Sequence, residues 1–116
     1  MLQISSTSKI FIHLKPVDFR KGMDGLAAIC RNELKINPFS GAIFVFRNRK
    51  QTALKLLVYD GQGFWVCHKR LSQGKLYWWP SGHEQAISLS SKELQTLLIN
   101  GDLKSNQFLE EFKKLP

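Results

Sequence analysis

Cysteine is nearly absent from this chain: Cys30 and Cys67 are the only two in 116 residues, both in apolar surroundings, with no Cys-x-x-Cys spacing. That excludes a disulfide framework and a zinc module, and it predicts two buried, inert thiols. Acids are scarce too, nine Asp and Glu against seventeen Lys and Arg. A two-metal nuclease needs carboxylates converging on Mg²⁺, and several of these nine fall in caps and turns. The histidines His13, His68 and His83 are far apart in sequence, and Cys67 and His68 fall on opposite faces of a strand, so neither a metal site nor a nucleophile–base pair is expected. No glycine-rich loop followed by lysine is present to cradle a nucleotide. The expectation is a protein that is not an enzyme and carries no cofactor and no metal. No stretch approaches the ~20 apolar residues of a membrane span, and Met1-Leu2-Gln3-Ile4-Ser5 lacks the charged start of a signal peptide, so a cytoplasmic location is expected.

What the chain does have is positive charge, +8 formally, and the charge is uneven. Residues 1–75 hold 13 Lys and Arg against Asp18, Asp24, Glu33 and Asp60, a net of +9, whereas residues 76–116 hold 4 against 5, a net of −1. A one-sided basic surface attracts polyanions over long range and is the usual footprint of nucleic-acid binding. Solubility alone is the bland alternative.

The length suits one domain, 1–116. Ile10-Phe11-Ile12-His13-Leu14, closed by Pro16, reads as a buried strand. Phe19, Met23, Leu26, Ala27, Cys30 and Leu34 then recur at helical spacing, which predicts a helix from Asp18, as N-cap, to Leu34, ended by Asn37-Pro38, with Asp24 as a later alternative start. From Ala42 the period becomes two. Three strands follow, around 43–46, 54–59 and 64–69, joined by a basic turn at Asn48 to Thr52 and a tight one at Asp60-Gly61-Gln62-Gly63. Lys75-Leu76-Tyr77-Trp78-Trp79, stopped by Pro80, is a fourth candidate strand. Both faces of this meander are apolar, so the first helix covers one and the C-terminal segment or another molecule must cover the other. Ser90-Ser91-Lys92-Glu93 is a capping box opening a helix over Ser91 to Ile99, closed by Asn100-Gly101. Residues 103–116 form a tail with the pattern of one more short helix. The fold class expected is α+β: a small, mainly antiparallel four-stranded meander flanked by two helices.

Several clusters carry the functional expectation. Arg20 and Lys21 in a first helical turn would oppose the helix dipole, and Gly22 would weaken the helix. Such local violations tend to mark functional sites, here a phosphate pocket of two cations and free amides; the competing reading pairs Arg20 with Asp24. Arg47, Arg49 and Lys50 surround a hairpin tip from which arginine forks can reach phosphate or guanine, and Lys69 and Arg70 come from the same sheet. Trp65 and Trp78 are expected in the core, Tyr77 and Trp79 at a contact surface.

The runs Pro16-Val17-Asp18-Phe19-Arg20-Lys21-Gly22-Met23-Asp24-Gly25-Leu26-Ala27 and Asn37-Pro38-Phe39-Ser40-Gly41-Ala42-Ile43-Phe44-Val45-Phe46-Arg47-Asn48-Arg49, together with the Leu54 to Phe64 run, Lys69-Arg70-Leu71 and Trp79-Pro80, resemble the TnpB accessory proteins of the "IS sixty-six" insertion sequences. The resemblance covers about residues 9–102. After Arg49 that family tends to further charged residues, where Lys50-Gln51-Thr52-Ala53 is milder. The resemblance implies a transposon-encoded protein assisting a separate transposase that holds its own catalytic carboxylates. Two functions compete: a DNA-binding accessory factor gripping phosphates through Arg20, Lys21, Arg47, Arg49, Lys50, Lys69 and Arg70, and an adaptor joining the transposase to another element-encoded protein through Tyr77 and Trp79. A nuclease is a distant third.

Overall fold

A computed structural model describes residues 4–100. The strand β1 (Ile10–His13) leads through a loop into α1 (Met23–Ile29), which runs on into a π-helical stretch, Cys30–Leu34. Then come β2 (Ile43–Arg47), β3 (Ala53–Tyr59), β4 (Phe64–Arg70), β5 (Ala86–Leu89) and α2 (Ser91–Asn100). The strands form one mixed sheet in the order β4-β3-β2-β1-β5.

The β2-β3-β4 meander is antiparallel as expected. The sheet nevertheless has five strands, not four, and β1 joins it parallel to β2, with Phe11 opposite Phe44. The helix between them is the crossover that a parallel pair requires. Lys75–Trp79 is not a strand. Its apolar residues pack a loop across one sheet face: Leu76 is 3% exposed within the core, its N–H donates to the Gln51 carbonyl, and the Trp79 indole donates to the carbonyl of His13 at 2.8 Å. Alternation in sequence does not distinguish such a loop from a strand. The fifth place belongs to β5, whose Ile87 lies opposite Ile12.

Alternation divides the apolar residues between two layers. Ile10, Ile12, Ile43, Val45, Leu54 and Leu56 face α2 and its Leu94 and Leu97. Phe44, Phe46 and Leu57 face α1 through Leu26, Ala27 and Cys30. The second face is therefore covered by α2, the C-terminal helix of the described residues. Its capping box forms in full: the Glu93 N–H donates to Ser90 Oγ at 3.1 Å, and the Ser90 N–H donates to Glu93 Oε1 at 2.9 Å. Gly101 and the tail at 103–116, with its expected short helix, lie outside the described residues.

The first helix is capped four residues later than Asp18, close to the alternative start at Asp24. Gly22 is its N-cap and Met23 is 43% exposed rather than packed. Beyond Leu34, Lys35 takes a left-handed conformation (φ 58°) and ends the helical run before Asn37-Pro38 is reached. No helix among the described residues is long and apolar enough to cross a membrane.

Candidate nucleic-acid interface

The loop after β1 is held in place by two buried polar side chains on the α1 face of the sheet. His13, 2% exposed, has Nδ1 at 2.7 Å from the Lys15 carbonyl and Nε2 at 3.3 Å from Glu33 Oε1. Lys55, 8% exposed, donates from Nζ to the carbonyls of Phe19 at 2.9 Å and Lys21 at 3.0 Å, with the ammonium 5.0 Å from the Phe19 ring centroid. A buried ammonium is costly unless it is hydrogen-bonded, and here backbone oxygens of an irregular loop do that work. Position 55 reads in sequence as an outward strand lysine. Its partners lie more than thirty residues earlier, so no local pattern could have found it.

Arg20 and Lys21 therefore precede the helix instead of occupying its first turn. The Asp18 carboxylate accepts from the Arg20 backbone N–H at 2.9 Å and from its guanidinium at 2.7 to 3.1 Å, and the Lys21 N–H donates to the Asp18 carbonyl. This corrects one expectation and narrows another. Arg20 pairs with Asp18, not Asp24, and the Arg20 and Lys21 N–H groups are already bonded to Asp18, whereas the helix that starts after Gly22 has no side-chain cap. The guanidinium's hydrogen bonds, ahead of its backbone one, hold the Asp18 carboxyl down at about 2. The Lys21 stem lies where a Cβ on Gly25 would come within 2.9 Å of it, so glycine there leaves room for the lysine.

The β2–β3 turn ends beside this loop. Asn48 builds it: its Oδ1 accepts from the N–H groups of Thr52 and Ala53, its Nδ2 donates to Thr52 Oγ1, and its carbonyl accepts from the Gln51 N–H. Arg49 and Lys50 are left as the exposed corners. Together with Pro16, Val17, Asp18, Phe19 and Asn48 they line an open cleft of about 370 Å³, in which Asp18 is the one acidic residue. Arg70, opposite Ala53 in the register, projects from the same end of the sheet on the α1 side.

The other expected contacts lie elsewhere. Arg47 and Lys69 alternate onto the α2 face. The Arg47 guanidinium carbon sits 5.9 Å from the Trp79 ring centroid, Nη1 donates to the Asn48 carbonyl, and Nε is buried with no partner among the described residues. Burial first, then the charge of Arg49, lowers its pKa. Lys69 Nζ donates to the Leu98 carbonyl in the last turn of α2. The seven cations thus divide into Arg20, Lys21, Arg49, Lys50 and Arg70 around one end, and Arg47 and Lys69 on the far side.

The aromatic residues also sort differently from expectation. Tyr77 is 78% exposed, as a contact residue would be, but Trp79 is half-buried and bonded to β1. Trp78 is half-buried against the α2-side core. Trp65, expected inside, is 42% exposed on the edge strand and donates to Asp60 Oδ2 at 2.8 Å. Of the two thiols, Cys30 is buried, which pushes it up to about 12, and Cys67 is half-exposed. Among the described residues no three His, Cys, Asp or Glu side chains gather as a metal site would require.

The sequence profile described as "IS66 Orf2 like protein" matches residues 8–107, nearly the whole chain. The chain belongs to the IS66 Orf2-like family. That family is associated with transposition of insertion sequences, the setting implied by the blocks around Asp18 and Arg49. The chain is also similar to two proteins of Sinorhizobium fredii, both called uncharacterized. It is 36% identical to y4hO over 107 residues, 92% of each chain, and 34% identical to y4jC over 102 residues, 88% of this chain and 86% of that one. No solved structure matches. The Arg20 loop and the Arg49 turn of this IS66 Orf2-like protein both fall within the matched residues.

Proposed function

We propose that this protein is a non-catalytic DNA-binding accessory factor of transposition that grips phosphates at the hairpin end of its sheet. The observation that carries the reading is the cleft where the Pro16 to Phe19 segment, which leads directly into Arg20 and Lys21, meets the Arg49-Lys50 turn, with Arg70 at the same end of the sheet. Arginine's planar fork and lysine's compact charge both suit phosphate oxygens, and Arg49 and Lys50 face one carboxylate in the cleft, Asp18, which Arg20 already pairs, so the local charge is positive. Arg47 and Lys69 are assigned to packing instead, since each already has a partner on the α2 face.

Binding to duplex DNA should weaken steeply with salt. Each neutralised phosphate contributes ~0.9 to the slope of log affinity against log salt. The test measures affinity for terminal-repeat and random duplexes over a range of salt. Arg49→Ala with Lys50→Ala should flatten the slope by roughly two phosphates' worth and weaken both duplexes alike. Absence of binding even at low salt would sink the proposal.

The adaptor reading rests on one observation, the exposure of Tyr77. Its test is Tyr77→Ala, which should abolish co-purification with the transposase and leave DNA affinity unchanged. Trp79 does not serve for that test, because its indole is bonded to β1.

A further inference from the structure

We propose that the outer edge of β4 docks a second copy of this chain, as an antiparallel strand pair centred on Cys67, a contact that shares only Arg70 with the DNA reading. The two edges of the sheet differ. β5 is four residues long and runs straight into the α2 cap, a short edge of the kind that resists pairing, whereas β4 offers seven residues. Only Phe64 and Cys67 in β4 are even partly covered. Two large apolar side chains stand out on it, Trp65 at 42% exposure and Val66 at 37%.

Backbone geometry restricts the register. The bonds from the Asp60 N–H to the Gly63 carbonyl and from the Leu71 N–H to the Thr52 carbonyl bracket the β3–β4 ladder. Antiparallel ladders alternate, so Trp65, Cys67 and Lys69 bond to β3, and the N–H and C=O groups of Phe64, Val66, His68 and Arg70 point outward. A two-fold axis at Cys67 sets Val66 against His68 of the other copy and Phe64 against its Arg70, each as a hydrogen-bonded pair. It is the symmetric register that uses all seven residues.

Charge selects the same register. One end of β4 carries His68, Lys69 and Arg70; the other adjoins Asp60, whose carboxylate is held below the usual range by the N–H groups of Gln62 and Gly63 and by the Trp65 indole. Antiparallel pairing lays the cationic end of each copy along the acidic and aromatic end of the other. Lys69, its Nζ held by the Leu98 carbonyl, lies opposite Trp65 on the α2 side. Arg70 meets Phe64, which packs with Phe39 and Tyr59 at centroid distances of 5.1 Å, on the α1 side. The second pairing places a cation over an aromatic ring. Moving the axis to His68 sets Arg70 against Val66 and takes it off the Phe64 ring.

Sedimentation equilibrium of the full chain should show a dimer. Residues directly opposite in a non-hydrogen-bonded pair have Cβ atoms ~4.5–5.5 Å apart, so a short bifunctional maleimide should link two chains through Cys67. The link should survive Cys30→Ala and vanish in Cys67→Ala. Trp65→Lys sets ammonium groups opposite each other and should raise the dissociation constant tenfold or more, with Lys69→Glu in the same chain restoring it. Val66→Pro removes an outward N–H without touching the β3 ladder and should give a folded monomer. A chain that is monomeric at every concentration, including one whose own C-terminal residues occupy the edge, overturns the proposal. So does a dimer indifferent to Trp65→Lys and Val66→Pro, or one that is not linked through Cys67.

Discussion

The two faces of the sheet are built on different principles. Towards α2 the sheet contributes mainly aliphatic side chains, and the covering element is a regular helix with a complete capping box. Towards α1 it also buries His13 and Lys55, whose polar atoms reach the carbonyls of an irregular loop. An apolar surface can hold a helix, which satisfies its own backbone. A loop needs partners for its backbone: Lys75–Trp79, on the α2 side, finds them in Gln51 at the sheet's end, and the Phe19 to Lys21 loop finds its donor in Lys55 within the α1-side layer. The polar groups in the α1 layer therefore mark where the chain presents Arg20 and Lys21 in a fixed but non-helical path.

If that contrast is right, damage to each face has a different signature, and the largest stability loss comes from the aliphatic one. Leu94 is fully buried between α2 and the sheet. Leu94→Ala should cost about 2–5 kcal/mol, read from urea unfolding, because the cavity adds to the lost transfer energy. DNA affinity of the folded fraction should not change. A matching loss of affinity would show that the two layers are coupled.

Lys55→Met attacks the other face and should cost less, about 1–3 kcal/mol, since two loop carbonyls lose their donor while the burial of a charge is relieved. Its functional effect should be larger than its stability effect. With Phe19 and Lys21 no longer tethered, the salt slope for duplex DNA should drop towards that of an Arg20→Ala, Lys21→Ala variant. A Lys55→Met protein of unchanged stability and unchanged DNA binding would erase the distinction between the faces.

The same contrast explains what could be read in advance. The capping box, the Asp60 turn and the three meander strands are local: each is set by residues within about one turn or one hairpin, and periodicity or a short motif shows it. The parallel insertion of β1, the loop course of Lys75–Trp79 and the delayed start of α1 depend on partners distant in sequence. Arg20 and Lys21 were recognisable as anomalous in a helix. The anomaly is resolved by Lys55, which draws the segment out of helical conformation and gives the loop its own partners. Of the basic cluster, the turn at Arg49-Lys50 was legible from its residues. The removal of Arg47 and Lys69 to the other face follows from strand parity combined with a register that only the structure supplies.

A smaller effect should come from the cap. Ser90→Ala removes the oxygen that accepts from the Glu93 N–H and should cost ~1 kcal/mol, the usual worth of a serine N-cap. Because the cap lies on the α2 layer, the salt slope should stay where it is. Urea unfolding and DNA titration on one preparation check both statements.

The smallest stability change, and the most informative, is expected from Asp18→Asn. Asparagine can still accept the Arg20 backbone N–H, so the turn survives while the charge leaves. The pair is exposed, with the Arg20 side chain 92% accessible, so the unfolding midpoint near neutral pH should hardly move. Acid titration separates the two proteins. The Asp18 carboxyl falls from 3.8 to about 2 on folding, so its contribution is complete above 3.8 and is lost as the pH drops through about 2. Wild type should lose that increment over this interval, and Asp18→Asn should not. On DNA the sign reverses: freeing the Arg20 guanidinium and removing the one carboxylate from the cleft should tighten binding and steepen the salt slope by about one phosphate, ~0.9. Weaker binding by Asp18→Asn would mean that Asp18 aims Arg20 at the phosphate instead of competing with it, and the cleft would then work through orientation more than through net charge.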